Sequence, residues 1–359
     1  MLDISIVIPV FQAETTIARA IQSALSLEDV ALEVLVIDDG SGDQTGIIVA
    51  QIAATDTRVR LISQSNMGRS AARGAGIAAA RGKWIMFLDA DDYLLPGTGK
   101  VLAGYAQRDS LDLAVFSYRQ VGTVSVKAPV SANKMSHNLV LSSHDVLEEM
   151  LAAPRSSDRM PADVFELNAV WARLYRAERL RELHIVSLTG EWCPFPVGLR
   201  FSEDRLLNIA YLASGEEFSV WFCPHSVYCW DLGESQTCGV ARPDDIGRID
   251  SYRCYCDDLV RASLISSTQA NRLFTLELTS QFQRAVCRCD APTELLAKSW
   301  KHALTAEGAA SIDVTQLEKC PPLRKWIPGI MLIKQGLTAS AIKSYRALYG
   351  AKKAMKRHI

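Results

Sequence analysis

The sequence predicts an α/β protein: a mostly parallel central sheet flanked by helices, followed by a helical C-terminal extension. Three observations carry this expectation. Apolar, β-branched runs alternate with helix-period segments along the N-terminal third, the signature of βαβ units. The first run, Ile4–Val10 (ISIVIPV), is almost continuously apolar, as a parallel strand covered on both faces must be. A later run, Trp84–Leu88 (WIMFL), stops abruptly in three carboxylates, Asp89, Asp91 and Asp92.

The elements follow in order. After the first strand, Phe11–Leu27 shows helical spacing at Ile17, Ala20, Ile21 and Ala24. Glu33–Ile37 (EVLVI) is a second strand, ending in Asp38-Asp39-Gly40-Ser41, and a helix is expected from about Asp43 to Ala54. Arg58–Ser63 is a third strand, Gly68–Arg81 a small-residue helix and Trp84–Leu88 a fourth strand. That helix contains Gly74-x-Gly76-x-x-Ala79, a loose dinucleotide fingerprint. The fingerprint requires a strand directly before its first glycine, and here a helical stretch precedes it, so the glycines are assigned to close helix–sheet packing. Leu111–Tyr118 reads as a further strand, Val124–Ser143 as loop or short strands, Asp145–Ala153 as helix and Pro154–Asp163 as loop. Ala169–Leu183 reads as helix or strand–helix, Leu206–Leu212 as helix and Glu217–Tyr228 as a closing strand. From about Pro243 the pattern is mainly helical, with a boundary near Gly233–Asp245.

Buried charge needs a partner. A strand delivering Asp-x-Asp at its carboxyl end, where open α/β sheets bind ligands, is therefore suited to holding a cation. Hard carboxylate oxygens favour Mg2+ or Mn2+, usually shared with substrate phosphates. The competing reading is a solvated acidic turn.

Composition excludes other classes. Lys+Arg 39 against Asp+Glu 40 over 359 residues gives no nucleic-acid signature. No 18-residue apolar stretch is present, and the start lacks a signal-peptide pattern. Nine cysteines run from Cys193 to Cys320; Cys254-x-Cys256 and Cys287-x-Cys289 lack zinc-ligand spacing. Buried or neutral thiols in a reducing, cytoplasmic compartment are expected.

Four motifs line up in order: VIDDGS after the second strand, Asn66-x-Gly68-Arg69-Ser70-x-x-Arg73 after the third, FLDADD after the fourth, and Ser202-Glu203-Asp204-Arg205 about a hundred residues later. Together, over about Ser5–Ser235, they resemble the family-2 glycosyltransferases, particularly bacterial enzymes that build surface polysaccharides. The resemblance implies the GT-A fold, a Rossmann-like sheet. It implies a nucleotide-sugar-binding half over 1–115, an acceptor-binding half over 116–235 and a helical region over 236–359.

The resemblance also carries roles. Asp39 would hydrogen-bond the nucleobase; capping is the alternative, better suited to Ser41 or Asp43. Pro9, Val10, Phe11 and Glu14 would border base and ribose. Asn66, Arg69 and Arg73 would contact the nucleotide, although both arginines could be ordinary surface charges. Asp89, with Ala90 beside it, would lie near the ribose or the metal's water shell. Asp91 would bind the metal, Mn2+ or Mg2+, and Asp92 would support or cap. Asp204 would be the general base with Glu203 beside it, against the alternative of helix-dipole complementation. Trp171 and Arg173, in Trp171-x-Arg173-Leu174-Tyr175-Arg176, would pack the acceptor half, with Trp171 as a possible sugar platform. Ser235 and Thr237 resemble a pyrophosphate-contacting stretch, with Glu234 where glycine is usual.

The implied reaction is inverting transfer of a sugar from a nucleoside-diphosphate sugar, UDP being the default. The acceptor is a hydroxyl of a glycan or lipid-linked oligosaccharide, in exopolysaccharide, capsule or lipopolysaccharide synthesis. A catalytically degenerate sugar-nucleotide-binding subunit is the non-enzyme alternative. A pyrophosphorylase would want a Gly-rich, Arg-bearing loop after the first strand, where Pro9–Glu14 stands. Between Pro322 and Ile359 lie nine Lys or Arg and no Asp or Glu. Ile342, Tyr345, Leu348, Tyr349 and Met355 fall near one helical face, and Lys343, Arg346, Lys353 and Arg357 near another. Such a helix suits an anionic membrane surface, here the inner face of the cytoplasmic membrane, or packing on the catalytic domain, or a homo-oligomer contact.

Overall fold

Seven alternating elements build the first half of the sheet: β1 (Ile4–Val10), α1 (Ile17–Leu25), β2 (Leu32–Asp38), α2 (Thr45–Thr55), β3 (Val59–Ser63), α3 (Arg69–Ala79) and β4 (Trp84–Phe87). The structure is a computed structural model, and it describes residues 2–122, 138–151, 167–183, 195–196, 198–199, 201–232, 248–288, 291–304, 306–318 and 324–355. β1 lies between β2 and β4, and β3 lies outside β2, all parallel. Every residue of β1, β2 and β4 is buried, which explains why their sequences are apolar rather than alternating.

One face of β1, Ile4, Ile6 and Ile8, packs with Ile17, Ala20, Ile21 and Ala24 of α1. Each fully buried aliphatic side chain contributes about 1.5–3 kcal/mol. On the other face α3 lies close to β1. A Cβ at Gly76 would stand 2.2 Å from Val7 Cγ1, so only glycine fits there. Gly76 therefore serves helix–sheet packing. The first helix begins only at Ile17, because Gln12–Glu14 is tied to the β2–α2 loop and the start of α2 instead of coiling.

The second half is mixed. It comprises β5 (Tyr93–Leu94), α4 (Thr98–Ala106), β6 (Leu113–Gly122), β7 (Leu139–Ser142), α5 (Ser143–Leu151), β8 (Arg173–Arg176), α6 (Ala177–Arg181), α7 (Glu203–Ala213) and β9 (Ser219–Leu232). β8 runs antiparallel between β4 and β6; β9 runs parallel to β6 and antiparallel to β5 and β7. Within the expected strand–helix segment Ala169–Leu183, the strand is four residues long and the helix five. Short β5 and helix α4 carry no strong sequence signal. The segment Pro154–Asp163, the boundary region Gly233–Asp245 and Ser235 and Thr237 lie outside the described residues.

The chain divides into two compact units, the sheet falling in the first. Most of the second is helical: α8 (Ile249–Arg261), α9 (Ser267–Arg288), α10 (Thr293–Ala303), α11 (Ala306–Ala310), α12 (Thr315–Glu318), α13 (Ile327–Lys334) and α14 (Thr338–Met355). Its core is aromatic. Phe282 packs edge-on against Trp300, Trp326 and Tyr345, and Tyr345 stacks on Trp326 at 5.0 Å. The apolar face of α14 is thus shared: Ala341 and Ile342 are fully buried, whereas Leu348 is 61% exposed. Among the described residues no helix is long and apolar enough to cross a membrane. The described cysteines Cys223, Cys229, Cys254, Cys256 and Cys287 are free thiols.

Candidate active site

The carboxyl ends of β1, β2 and β4 converge, and each brings a loop. The loop after β1 is laced to the loop after β2. Gln12 N donates to Ser41 Oγ, Ala13 N to Thr45 Oγ1 and Glu14 N to Asp43 Oδ2, while Gln44 N donates back to Glu14 Oε2. Glu14 is therefore a tie between loops. Pro9 and Val10 close the buried strand, and Phe11 stands 47% exposed at its end.

Asp39 is buried and nearly saturated. Its Oδ1 accepts from Gln64 Nε2 (2.8 Å) and Met67 N (2.9 Å), and its Oδ2 accepts from Gly68 N (2.8 Å). A carboxylate offers about four lone-pair sites, so one acceptor direction remains. Asp39 thus shapes the loop leading into α3. Gly40 makes the approach possible: at φ +80°, a Cβ there would stand 3.0 Å from Asn66 N. Asn66 itself is exposed.

The two arginines of α3 are not free surface charges. Arg69 Nε and Nη2 donate to Glu203 Oε1 at 3.0 and 2.6 Å. One turn further along α3, Arg73 is fully buried. Its Nη1 donates to Asp204 Oδ1 at 2.5 Å and its Nη2 to Asp89 Oδ1 at 2.8 Å. Phe195 and Phe87 lie 5.5 and 6.0 Å from the guanidinium carbon. The structure thus brings Arg69, Arg73, Asp89, Glu203 and Asp204 together from three distant stretches.

The Asp89–Asp92 turn is braced from two further sides. Tyr228 Oη donates to Asp92 Oδ2 (2.6 Å) and Asp231 N to Asp92 Oδ1 (2.9 Å), while Asp89 N donates to Tyr228 Oη. Arg19 of α1 donates to the Asp91 carbonyl (2.6 Å) and pairs with Asp231 (2.7 Å). Burial, then the charge of Asp89, pushes Asp92 up to about 8. The same two causes raise Asp91. The Asp91 carboxylate makes no ion pair among the described residues.

Asp204 is held up at about 6, chiefly by burial; Arg73 pulls the other way and Glu203 adds to the rise. A carboxylate poised there is ionised at neutral pH yet more basic than an ordinary aspartate. Trp171 is buried, stacked on Tyr228 at 4.8 Å and edge-on to Tyr118 at 4.9 Å, so its ring packs and is not an open platform. Arg173 is fully buried as well.

Sequence reasoning missed Arg19, Gln64, Tyr228 and Asp231. Tyr228 sits at an inward position of β9, legible as core but not as a brace. Arg19 faces away from the buried stripe of α1, and nothing in its spacing marks it.

A parallel sheet with acids gathered at its carboxyl edge, extended by a mixed second half, is the architecture of the GT-A fold. Residues 5–149 match the family model described as "Glycosyl transferase family 2". The uncharacterized glycosyltransferase EpsJ of Bacillus subtilis (strain 168) is 29% identical over 214 residues, covering 59% of this chain and 57% of that protein. The succinoglycan biosynthesis protein ExoO of Rhizobium meliloti (strain 1021) is 50% identical over 95 residues, covering 26% of this chain and 27% of that one. The matched regions therefore span under two thirds of these relatives. Among solved structures, S. aureus TarS 1-349 in complex with UDP-GlcNAc superposes with a TM-score of 0.67 at 16% identity, covering 99% of this chain and 92% of that one. At that identity the likeness is one of fold.

Proposed function

We propose that this chain transfers a sugar from a nucleoside-diphosphate sugar, UDP being the favoured nucleotide, to a hydroxyl of a glycan or lipid-linked acceptor in polysaccharide synthesis. The observation that carries the reading is the shared guanidinium of Arg73. It holds a basic carboxylate, Asp204, on the same group as Asp89, two residues from the unpaired Asp91. The polysaccharide context comes from relatives such as ExoO, and UDP from the sugar nucleotide in the TarS complex.

Asp204 would accept the proton of the acceptor hydroxyl as that oxygen attacks the anomeric carbon. Attack from the face opposite the departing diphosphate would invert the configuration. Asp39, through its remaining acceptor direction, would take an N–H from the base, with Phe11 alongside. Glu203, occupied by Arg69, would hold the start of α7 and would not share the proton transfer.

The acids fit a divalent cation. Arg69 and Arg73 face Asp89, Glu203 and Asp204, with Asp91 a fourth acid close by, so the cluster is short of positive charge. Among the described residues no three His, Cys, Asp or Glu side chains could hold a metal by themselves. One or two carboxylates completed by substrate phosphates is the usual Mg2+ arrangement. Asp91, with Asp89 beside it, would hold Mn2+ or Mg2+, which when bound neutralises charge on a diphosphate.

For α14, Ala341 and Ile342 are spent on packing and Arg346 on the Ala285 and Ala291 carbonyls, so exposed Leu348 and Lys343 would contact an anionic membrane surface. The three-part division at 115 and 235 is likewise proposed as donor half, acceptor half and helical region.

The test is turnover of a panel of UDP-, GDP- and dTDP-sugars, with Asp204→Ala as control. The reading predicts donor turnover that falls about 10²–10⁴-fold in Asp204→Ala. Nucleotide binding without turnover in the native protein would favour a degenerate binding subunit.

A further inference from the structure

We infer that Arg73 is a positioning residue that sets the donor acids and the general base at a fixed separation, and that it does not contact the nucleotide. The inference rests on the glycosyltransferase reading above.

Arg73 has no exposed surface, so no ligand reaches it without a rearrangement. Both terminal nitrogens are engaged, one on Asp204 and one on Asp89, at 2.5 and 2.8 Å. Glu203 Oε1 lies 4.0 Å from Nη1. The guanidinium is planar, with its donors in a rigid fork. Two carboxylates bonded to its two terminal nitrogens are therefore fixed relative to each other in distance and direction. One belongs to the turn after β4 and the other to the first turn of α7, 115 positions later in the chain; the guanidinium is the physical link between them.

A second pair repeats the pattern. Arg69 and Arg73 are one helical turn apart on α3, and they grip the adjacent residues Glu203 and Asp204. Arg69 is 43% exposed at its side chain and bonds Glu203. Arg73 is enclosed, flanked by Phe87 and Phe195, and serves two acids. The outer pair orients the start of α7. The inner one couples it to the Asp89–Asp92 turn.

Lysine cannot reproduce this link. It carries a point charge on a flexible stem, with no planar fork to span both acids. Charge alone would be retained in Arg73→Lys, and geometry lost. A displacement of about 1 Å between reacting groups can reduce turnover on the order of 10²-fold.

The experiment compares native protein, Arg73→Lys, Arg73→Met and Arg69→Ala. Three quantities are read: kcat and KM for whichever donor sugar the native protein turns over, the Kd for the matching nucleoside diphosphate by calorimetry, and amide hydrogen exchange at residues 89–92 and 203–206. The inference predicts that Arg73→Lys loses about 10²-fold or more in kcat. Its nucleotide Kd stays within about tenfold, and exchange accelerates in both segments together. Arg69→Ala accelerates exchange at 203–206 only. A nucleotide Kd weakened far more than kcat would overturn the inference, as would native exchange in both segments of Arg73→Lys. If Arg73→Met fails to fold, Arg73→Lys decides. If the native protein neither binds nor turns over any nucleotide sugar, the glycosyltransferase reading falls, and the exchange arm still decides whether Arg73 links the two segments.

Discussion

The ends of β2 and β4 look alike in sequence and differ in what they do. Both strands are fully buried and both run into consecutive acids. Asp39, after β2, spends three acceptor directions on the 64–68 loop and is 3% exposed. After β4, Asp92 is spent on Tyr228 and Asp231 N, and Asp89 on Arg73, while the Asp91 carboxylate stands without an ion pair among the described residues. An acidic strand end is therefore not one kind of site. The first builds the loop that a ligand meets; the second keeps one charge in reserve by satisfying its neighbours with protein donors. Acids even half-buried without an opposite charge are costly, so the reserve charge is the feature that calls for a ligand.

The contrast breaks most readily at Asp39. Replacing it with Ala orphans the part-buried Met67 and Gly68 amides. At ~1–3 kcal/mol per orphaned donor, a loss of about 2–4 kcal/mol is expected, read as a lower urea midpoint at constant m. Asp91→Ala should stay within about 0.5 kcal/mol of the native protein, since the hydrogen bond lost is one to its own backbone N–H. Equal destabilisation by the two substitutions would erase the distinction.

A smaller effect sharpens it through pH. Asp204 is raised to about 6, burial leading, so a base there is ionised above that value. Turnover should fall about tenfold per pH unit below about 6 and level off above it. The linkage to stability has the opposite sign. A carboxyl with a raised folded pKa stabilises fully below its ordinary value of 3.8, and that contribution is lost as pH rises through about 6. Activity and this part of stability thus trade against each other over the same window. An acid limb near 4 would assign the base to an ordinary exposed carboxylate.

Much of the first half was legible because its information is local. β1 to β4 are apolar runs whose composition already demands burial on both faces, and Gly76 announces the close approach of α3 to Val7. The acids of the site were legible too, as charges at strand and helix ends. Their partners were not. That Arg73 bridges Asp89 and Asp204 depends on where α7 docks, 131 positions away from Arg73, and no local pattern encodes it. The same holds for Tyr228, whose hydroxyl reaches Asp92 across 136 positions. Trp171, read from its motif as packing or as a possible sugar platform, is buried with Tyr228 stacked on its ring. The mixed second half was harder because β8, four residues long, is antiparallel to both neighbours and gives no βαβ spacing to count.

The account turns on Asp91 as the reserved charge, and calorimetric titration with UDP tests it most directly. GDP and dTDP serve as comparisons, with and without Mn2+, on the native protein and Asp91→Ala. The account predicts UDP binding that requires Mn2+ in the native protein and is lost in Asp91→Ala, with the melting transition unchanged. UDP binding of equal strength with and without Mn2+, and in the variant, would contradict it.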